Sequence, residues 1–134
     1  MNSKPSLNQL RKELISLKKY RVVVYGSYTS GDYTARSDID LAIITKVPSP
    51  EQNKKIYVSL LGKTSEKYDL KIFELLPLDI KASLMENYLV LFGDPLEISE
   101  YWYHFRKLWD DSKHRYYANQ FTSIQEKMAA LGMT

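Results

Sequence analysis

Asp38 and Asp40 stand eleven and thirteen residues past a Gly26-Ser27 pair, and that spacing could do chemistry. On a strand, side chains alternate faces, so the two carboxylates point the same way with Cα atoms about 6.5–7 Å apart. At about 4 Å such charges repel by about 1 kcal/mol in water and about 4 kcal/mol at the effective dielectric of a protein surface. A hard, oxygen-seeking ion such as Mg2+ turns that repulsion into a binding site. The Gly-Ser turn leaves an apolar strand, Val22-Val23-Val24-Tyr25, and can offer backbone N–H groups to a phosphate. Together these residues predict a nucleoside triphosphate held on metal.

A third carboxylate, Asp69, lies in another apolar run, Tyr68-Asp69-Leu70-Lys71-Ile72-Phe73. A charge entering a core strand needs a partner or a metal, because an unpaired buried carboxylate is costly. A bare Asp-x-Asp is also common as a solvated strand start. The Gly-Ser turn, the apolar strand and Asp69 favour the site. Glu74 competes for the third place, but it falls on the opposite face of its strand from Asp69 and near that strand's end, so Asp69 is preferred.

The elements that must position these residues follow from periodicity. Leu7, Leu10, Leu14 and Leu17 form one stripe and predict a helix over Ser6 to Lys19. Arg21–Tyr25 reads as a buried strand. Gly26–Ser37 reads as a loop with one helical turn begun by Ser27. Ile39–Thr45 is apolar on both faces, as a central strand is, so the aspartates sit at its entry. Glu51 to Leu61 predicts a helix on Ile56, Leu60, Val58 and Leu61; Tyr68–Leu75 a third strand; Leu78–Asn87 a short helix; Tyr88–Phe92 a fourth strand. A long helical tail follows, from about Leu96 to Leu131. The alternation predicts an α/β (α+β) fold: a mixed sheet of about four strands flanked by helices, with residues 1–95 as the domain and 96–134 as a C-terminal helical extension.

Composition narrows the classes. The 134 residues suit one domain, burying about 68–70% of the surface that the unfolded chain exposes. Without cysteine there are no disulfides, zinc thiolates or thiol nucleophiles. A net charge of +3, from 19 basic and 16 acidic residues, does not suit a dedicated nucleic-acid binder. Met1 to Leu10 has no apolar run, which predicts no signal peptide. Near the end the longest apolar stretch, Tyr88–Phe92, is far short of the about 20 residues that span a bilayer. A cytoplasmic protein away from membranes is expected.

Gly26-Ser27-x-x-x-Gly31 followed by Ser37-Asp38-Ile39-Asp40-Leu41 resembles the signature of the DNA polymerase beta-like nucleotidyltransferase superfamily, above all the minimal nucleotidyltransferases of prokaryotes. Tyr68-Asp69-Leu70 looks like the segment carrying that family's third aspartate, and Leu89–Asp94 like the strand and turn after it. The resemblance covers about residues 20–95. It implies two Mg2+ ions and transfer of a nucleoside monophosphate, AMP from ATP, with release of pyrophosphate. On that reading Asp38 and Asp40 hold both ions. Asp69 completes the acceptor-side metal site and takes the proton of the attacking hydroxyl. Gly26 lets backbone approach the triphosphate, and the Ser27 hydroxyl donates to a phosphate oxygen. Two metals about 3.5–4 Å apart would clamp the attacking and leaving oxygens.

Family members often carry Arg just before the second Gly, where this chain has Ser30; the nearest bases are Arg36 and Lys71. His104 and His114 lie in the tail, away from the motif, and read as surface residues. In the tail, Trp102, Phe105 and Trp109 read as a stripe packed on the domain. Tyr117, Phe121, Ile124, Met128 and Leu131 could meet a second copy of the chain or another protein. The resemblance implies a helical HEPN-type partner, a toxin that the nucleotidyltransferase modifies, in some pairs on tyrosine, or sequesters.

The leading expectation is a Mg2+-dependent transferase acting on a partner's hydroxyl. The alternative is a weakly active or inactive module of the same fold that neutralises a HEPN-type partner by covering it. Transfer to a small molecule or a nucleic-acid 3′ end ranks lower, for want of a second domain to hold the acceptor.

Overall fold

A computed structural model describes residues 4–132; the extreme ends of the two predicted segments, residues 1–3 and 133–134, lie outside the described residues, as does the start of the segment read for a signal peptide. Ser6 caps the first helix, α1 (Leu7–Glu13), in a reciprocal capping box with Gln9. Strand β1 (Arg21–Tyr25) then leads into a single helical turn, α2 (Ser27–Ser30). Strand β2 (Ile39–Ile44), helix α3 (Pro50–Leu60), strand β3 (Tyr68–Ile72), helix α4 (Leu78–Glu86) and strand β4 (Tyr88–Phe92) follow. The chain closes on α5 (Pro95–Ala130), 36 residues long, with Asp94 as N-cap and Pro95 in its first turn.

The sheet order is β3-β2-β1-β4. β1 runs antiparallel to β2 and β4, and β2 runs parallel to β3, so the sheet is mixed. Alternation sorts the strand residues between two cores. Val22, Val24, Leu41, Ile43, Leu70 and Ile72 pack under α1 and α3. Val23, Ala42, Ile44 and Phe73 pack under α4 and the start of α5, against Leu84, Met85, Ile98 and Trp102. β2 is buried everywhere except at Asp40, which makes that carboxylate the polar break in the central strand. On the sheet's edge, Arg11 of α1 donates to the β4 carbonyls of Leu91 (2.9 Å) and Val90 (3.3 Å).

Three elements depart from the periodic reading, two in where they end and one in which face it buries. The first helix stops at Glu13, and Leu14 turns the chain into a 3-10 segment, Ile15–Leu17; that tightening still delivers Leu14 and Leu17 to the core. The third strand stops at Ile72, because Phe73–Leu75 winds into a 3-10 turn. That turn carries Glu74 to the exit of β2, where it accepts from the Thr45 and Lys46 N–H groups at 3.1 Å each. On α3, Ile56 and Leu60 face inward, whereas Val58 and Leu61 are exposed. Asn53 is buried in their place, joined to Thr45 Oγ1 (2.6 Å) and the Val47 carbonyl (2.7 Å).

α5 spans about 54 Å at 1.5 Å per residue. Its first half lies on the domain: Trp102 is fully buried against Phe73 and Tyr88. Contact continues as far as Tyr116, whose hydroxyl donates to Asp79 at 2.7 Å. From Tyr117 to Gly132 every residue is exposed. Among the described residues no helix is long and apolar enough to cross a membrane.

Candidate active site

The antiparallel and parallel registers put four residues in one row across the end of the sheet. Asp69 pairs with Asp40, Asp40 with Tyr25, and Tyr25 with Tyr88. Directly opposed residues share a face, with strands about 4.7–4.9 Å apart, so the row points to the side that α4 and α5 cover elsewhere. At Asp69 and Asp40 that cover is incomplete, and both are half-buried. Lys71, two residues beyond Asp69, shares its face and sits 3.5 Å from its carboxylate.

Asp38 stands just before β2, exposed on the loop. Ser37 fixes that approach: its N–H donates to the Thr34 carbonyl, and its Oγ accepts from the Thr34 N–H, both at 3.0 Å. The Ile39 N–H then joins the Lys67 carbonyl at 2.8 Å and seats the strand. The structure therefore brings Asp40 and Asp69 together and leaves Asp38 beside them.

The electrostatics follow from this crowding. Burial first, then the charges of Asp69 and Asp38, push the Asp40 carboxyl above its ordinary pKa, against a smaller opposing pull from Lys71. Burial and the same two strand carboxylates, Asp40 and Asp69, raise the Tyr25 phenol to about 12, so it stays neutral. Among the described residues, no three acidic or histidine side chains close into a ready metal cage. Mg2+ does not need one: it keeps waters and takes one or two carboxylates together with substrate phosphates. The repelling Asp40–Asp69 pair, with the Asp38 charge adjacent, fits that donor set.

The Gly-Ser turn lies against this row. Gly26 has φ +73°, and a Cβ built there would stand 3.1 Å from Asp40 Cγ, with the carboxylate oxygen nearer still. Its carbonyl accepts from the N–H groups of Thr29 and Ser30, both at 3.0 Å, which closes α2 and leaves the first N–H groups of the turn without intrahelical acceptors. Gly31 ends the turn in the left-handed region at φ +88°. Beside the turn, a groove of about 280 Å³ opens between α2 and α4.

The remaining candidates fall elsewhere. Glu74 is at the other end of β2, where it also accepts from the Tyr101 hydroxyl at 2.7 Å, so it does not join the row. Arg36 is exposed on the loop, and His104 and His114 are exposed on α5. Sequence reasoning passed over Tyr25 as a site residue, although its place at the end of β1, just before Gly26, carried the signal. It also passed over the α4 face that lines the groove, since nothing in the α4 sequence says which strand end it covers.

The family model for the nucleotidyltransferase domain matches residues 7–91, and the chain belongs to that family: it is a nucleotidyltransferase. A candidate protein adenylyltransferase of Methanocaldococcus jannaschii is 45% identical over 111 residues, covering 83% of this chain and 86% of that protein. A second from the same organism is 32% identical over 90 residues, covering 61% and 90%. Solved structures share the fold at lower identity. A toxin–antitoxin complex with AMP-PNP contains a chain with TM-score 0.58 and 18% identity, over 92% of this chain and 99% of that one. A tri-AMPylated HEPN toxin of Shewanella oneidensis with its MNT antitoxin gives TM-score 0.53 and 16% identity, over 92% and 99%.

Proposed function

We propose that this chain transfers AMP from ATP to a hydroxyl of a partner protein in the cytoplasm, in the manner of an antitoxin acting on a HEPN-type toxin. The observation that carries the reading is the pairing of Asp40 with Asp69 beside Gly26. It offers two carboxylates for metal next to a turn for phosphate. The names of the Methanocaldococcus relatives support protein as the acceptor, and the toxin–antitoxin neighbours support the type of partner.

Asp40, Asp69 and Asp38 would hold two Mg2+ ions, which when bound neutralise charge on the triphosphate and activate the attacking oxygen. The N–H groups of the Gly-Ser turn and the Ser27 hydroxyl hold and orient the phosphates. Gly26, lacking a side chain, lets the triphosphate approach Asp40. The partner's hydroxyl oxygen forms a bond to the α-phosphorus as the bond to the pyrophosphate oxygen breaks. Asp69 accepts the hydroxyl proton, and pyrophosphate leaves.

Incubation with ATP labelled at the α-phosphate and a HEPN-type helical protein, sought in the neighbouring reading frames, tests this. Label is expected on the partner, and Asp69→Asn is expected to abolish it. Equal labelling by the variant would remove Asp69 from the mechanism.

One observation favours a second reading. Tyr117, Phe121, Ile124 and Leu131 are each more than half exposed, on steps of four, three and seven residues. A bare apolar stripe of that period suits a partner helix, so the chain could neutralise its partner by binding alone, or pair with a second copy of itself. Partner inhibition without any label transfer would favour that reading.

A further inference from the structure

At the end of β2 away from the carboxylate row, Glu74 and Lys81 share a cavity of about 450 Å³. That volume falls within the roughly 300–1,000 Å³ of small-molecule sites. From Asp40 to Ile44 the strand runs about 13 Å, so this cavity is separate from the candidate active site. The rings of Tyr101 and Phe105, edge to face with centroids 5.4 Å apart, form one wall. Val47 and Pro48 add aliphatic surface.

The charged groups here are unequally satisfied. Glu74 has four donors. One oxygen accepts from the Thr45 N–H and Oγ1 at 3.1 Å each, the other from the Lys46 N–H at 3.1 Å and the Tyr101 hydroxyl at 2.7 Å. The Lys46 ammonium pairs with Glu97 at 2.9 Å, on a carboxylate it shares with Arg21. Lys81 differs. An ammonium carries three N–H donors, and among the described residues this one makes a single hydrogen bond, to the Glu74 carbonyl at 3.4 Å, and no ion pair. It is half-buried, 5.1 Å from the centre of the Phe105 ring and 5.6 Å from that of Phe73. Burial holds its pKa below the ordinary lysine value, against a smaller upward pull from Glu74.

In this bonded set Arg21, Lys46 and Lys81 stand against Glu97 and Glu74, which leaves one positive charge uncompensated, and Lys81 is the base without an acid. A charge drawn out of water calls for a counter-charge, so the complementary group is an oxyanion. The ring and aliphatic walls suit a flat apolar body.

We propose that this cavity binds a small molecule carrying an oxyanion, carboxylate or phosphate, on an aromatic ring, with the anion on Lys81 and the ring against Tyr101 and Phe105. The proposal is independent of the transfer reading, because it uses none of the residues in the carboxylate row or the Gly-Ser turn.

Titration of the whole chain with phenyl phosphate, phenylacetate, inorganic phosphate and benzyl alcohol, followed by amide shifts in NMR without Mg2+, tests it. A ring anion is expected to saturate, moving the Lys46, Val47, Tyr101 and Phe105 amides and leaving Gly26 and Asp40 in place. The tighter of phenyl phosphate and phenylacetate identifies the anion. Inorganic phosphate lacks the ring and benzyl alcohol lacks the charge, so each is expected to bind at least about tenfold more weakly than that probe. Lys81→Met keeps the apolar stem and removes the ammonium. It is expected to weaken the ring anion about tenfold or more, the worth of a hydrogen bond to a charged group, with a thermal melt no lower than the wild type. Lys127→Met, on the far half of α5, is expected to bind as the wild type does. The assignment is overturned if neither ring anion saturates, if the shifts centre on Gly26, if inorganic phosphate binds as tightly as the ring anions, or if folded Lys81→Met binds unchanged. The shift map is read on the wild type and decides the question without any variant.

Discussion

A side chain on Gly26 and the carboxylate of Asp40 cannot occupy the same space: an added Cβ would lie 3.1 Å from Asp40 Cγ and nearer its Oδ2, at a backbone φ of +73°. The turn proposed to hold phosphate and the carboxylate proposed to hold metal are thus fitted to each other. Gly26→Ala is expected to destabilise the protein by about 1–3 kcal/mol, the cost of holding a non-glycine residue in a glycine-only region. It also pushes Asp40 out of its row. Urea unfolding measures the first effect, and nucleotide transfer, lost in the same variant, the second.

Asp40 is expected to trade stability for function. Burial, with the charges of Asp69 and Asp38, raises its pKa, so folding favours the protonated form and that stabilisation is lost as pH rises through the raised value. Asp40→Asn keeps the shape and removes the charge. At pH 7 it should melt above the wild type, and the gap should close as pH falls below about 3.9, where the unfolded carboxyl also protonates. Nucleotide transfer should vanish at every pH. Thermal melts across pH, beside a transfer assay, check both halves.

Much of the fold is legible in the amino-acid order. Apolar runs locate all four strands, and in β1 and β2, buried on both faces, almost no polar alternation is left to misread. Asp40 and Asp69, both marked as carboxylates opening or entering apolar strands, meet across the β2–β3 register. Register itself cannot be read that way. The Tyr25–Asp40 and Tyr25–Tyr88 pairings depend on long-range strand alignment, which local patterning does not encode. The same holds for Asp38, which reads as a strand residue and lies on the loop before the strand. Glu74 illustrates a tertiary override, since its bonds to the β2 exit turn a strand-like run into a 3-10 segment.

Trp102 anchors α5 on the sheet, fully buried between Phe73 and Tyr88 at ring distances of 5.1 and 4.7 Å. Its indole N–H has no hydrogen-bond partner among the described residues. Trp102→Ala is expected to cost about 3–5 kcal/mol through the cavity it leaves. Trp102→Phe is expected to cost less than half of that, because it removes a buried donor whose desolvation alone is worth about 1–3 kcal/mol. Chemical denaturation of the two variants distinguishes ring packing from the polar handle.

Phe121, 61% exposed on the far half of α5, makes the opposite prediction. Phe121→Glu is expected to leave stability within about 0.5 kcal/mol of wild type and to weaken binding of a helical partner by about 2 kcal/mol or more. Thermal melts and a titration against the partner measure each.

In the proposed function Asp40 and Asp69 act together as a seat for metal-bound nucleotide, and every other role proposed for the site depends on that pairing. Titrating ATP into the wild type and into Asp40→Asn/Asp69→Asn, with and without Mg2+, tests it most directly. The wild type should give a heat of nucleotide binding that requires the metal, and the folded double variant should give none. Identical metal-dependent heats in both proteins would contradict the assignment.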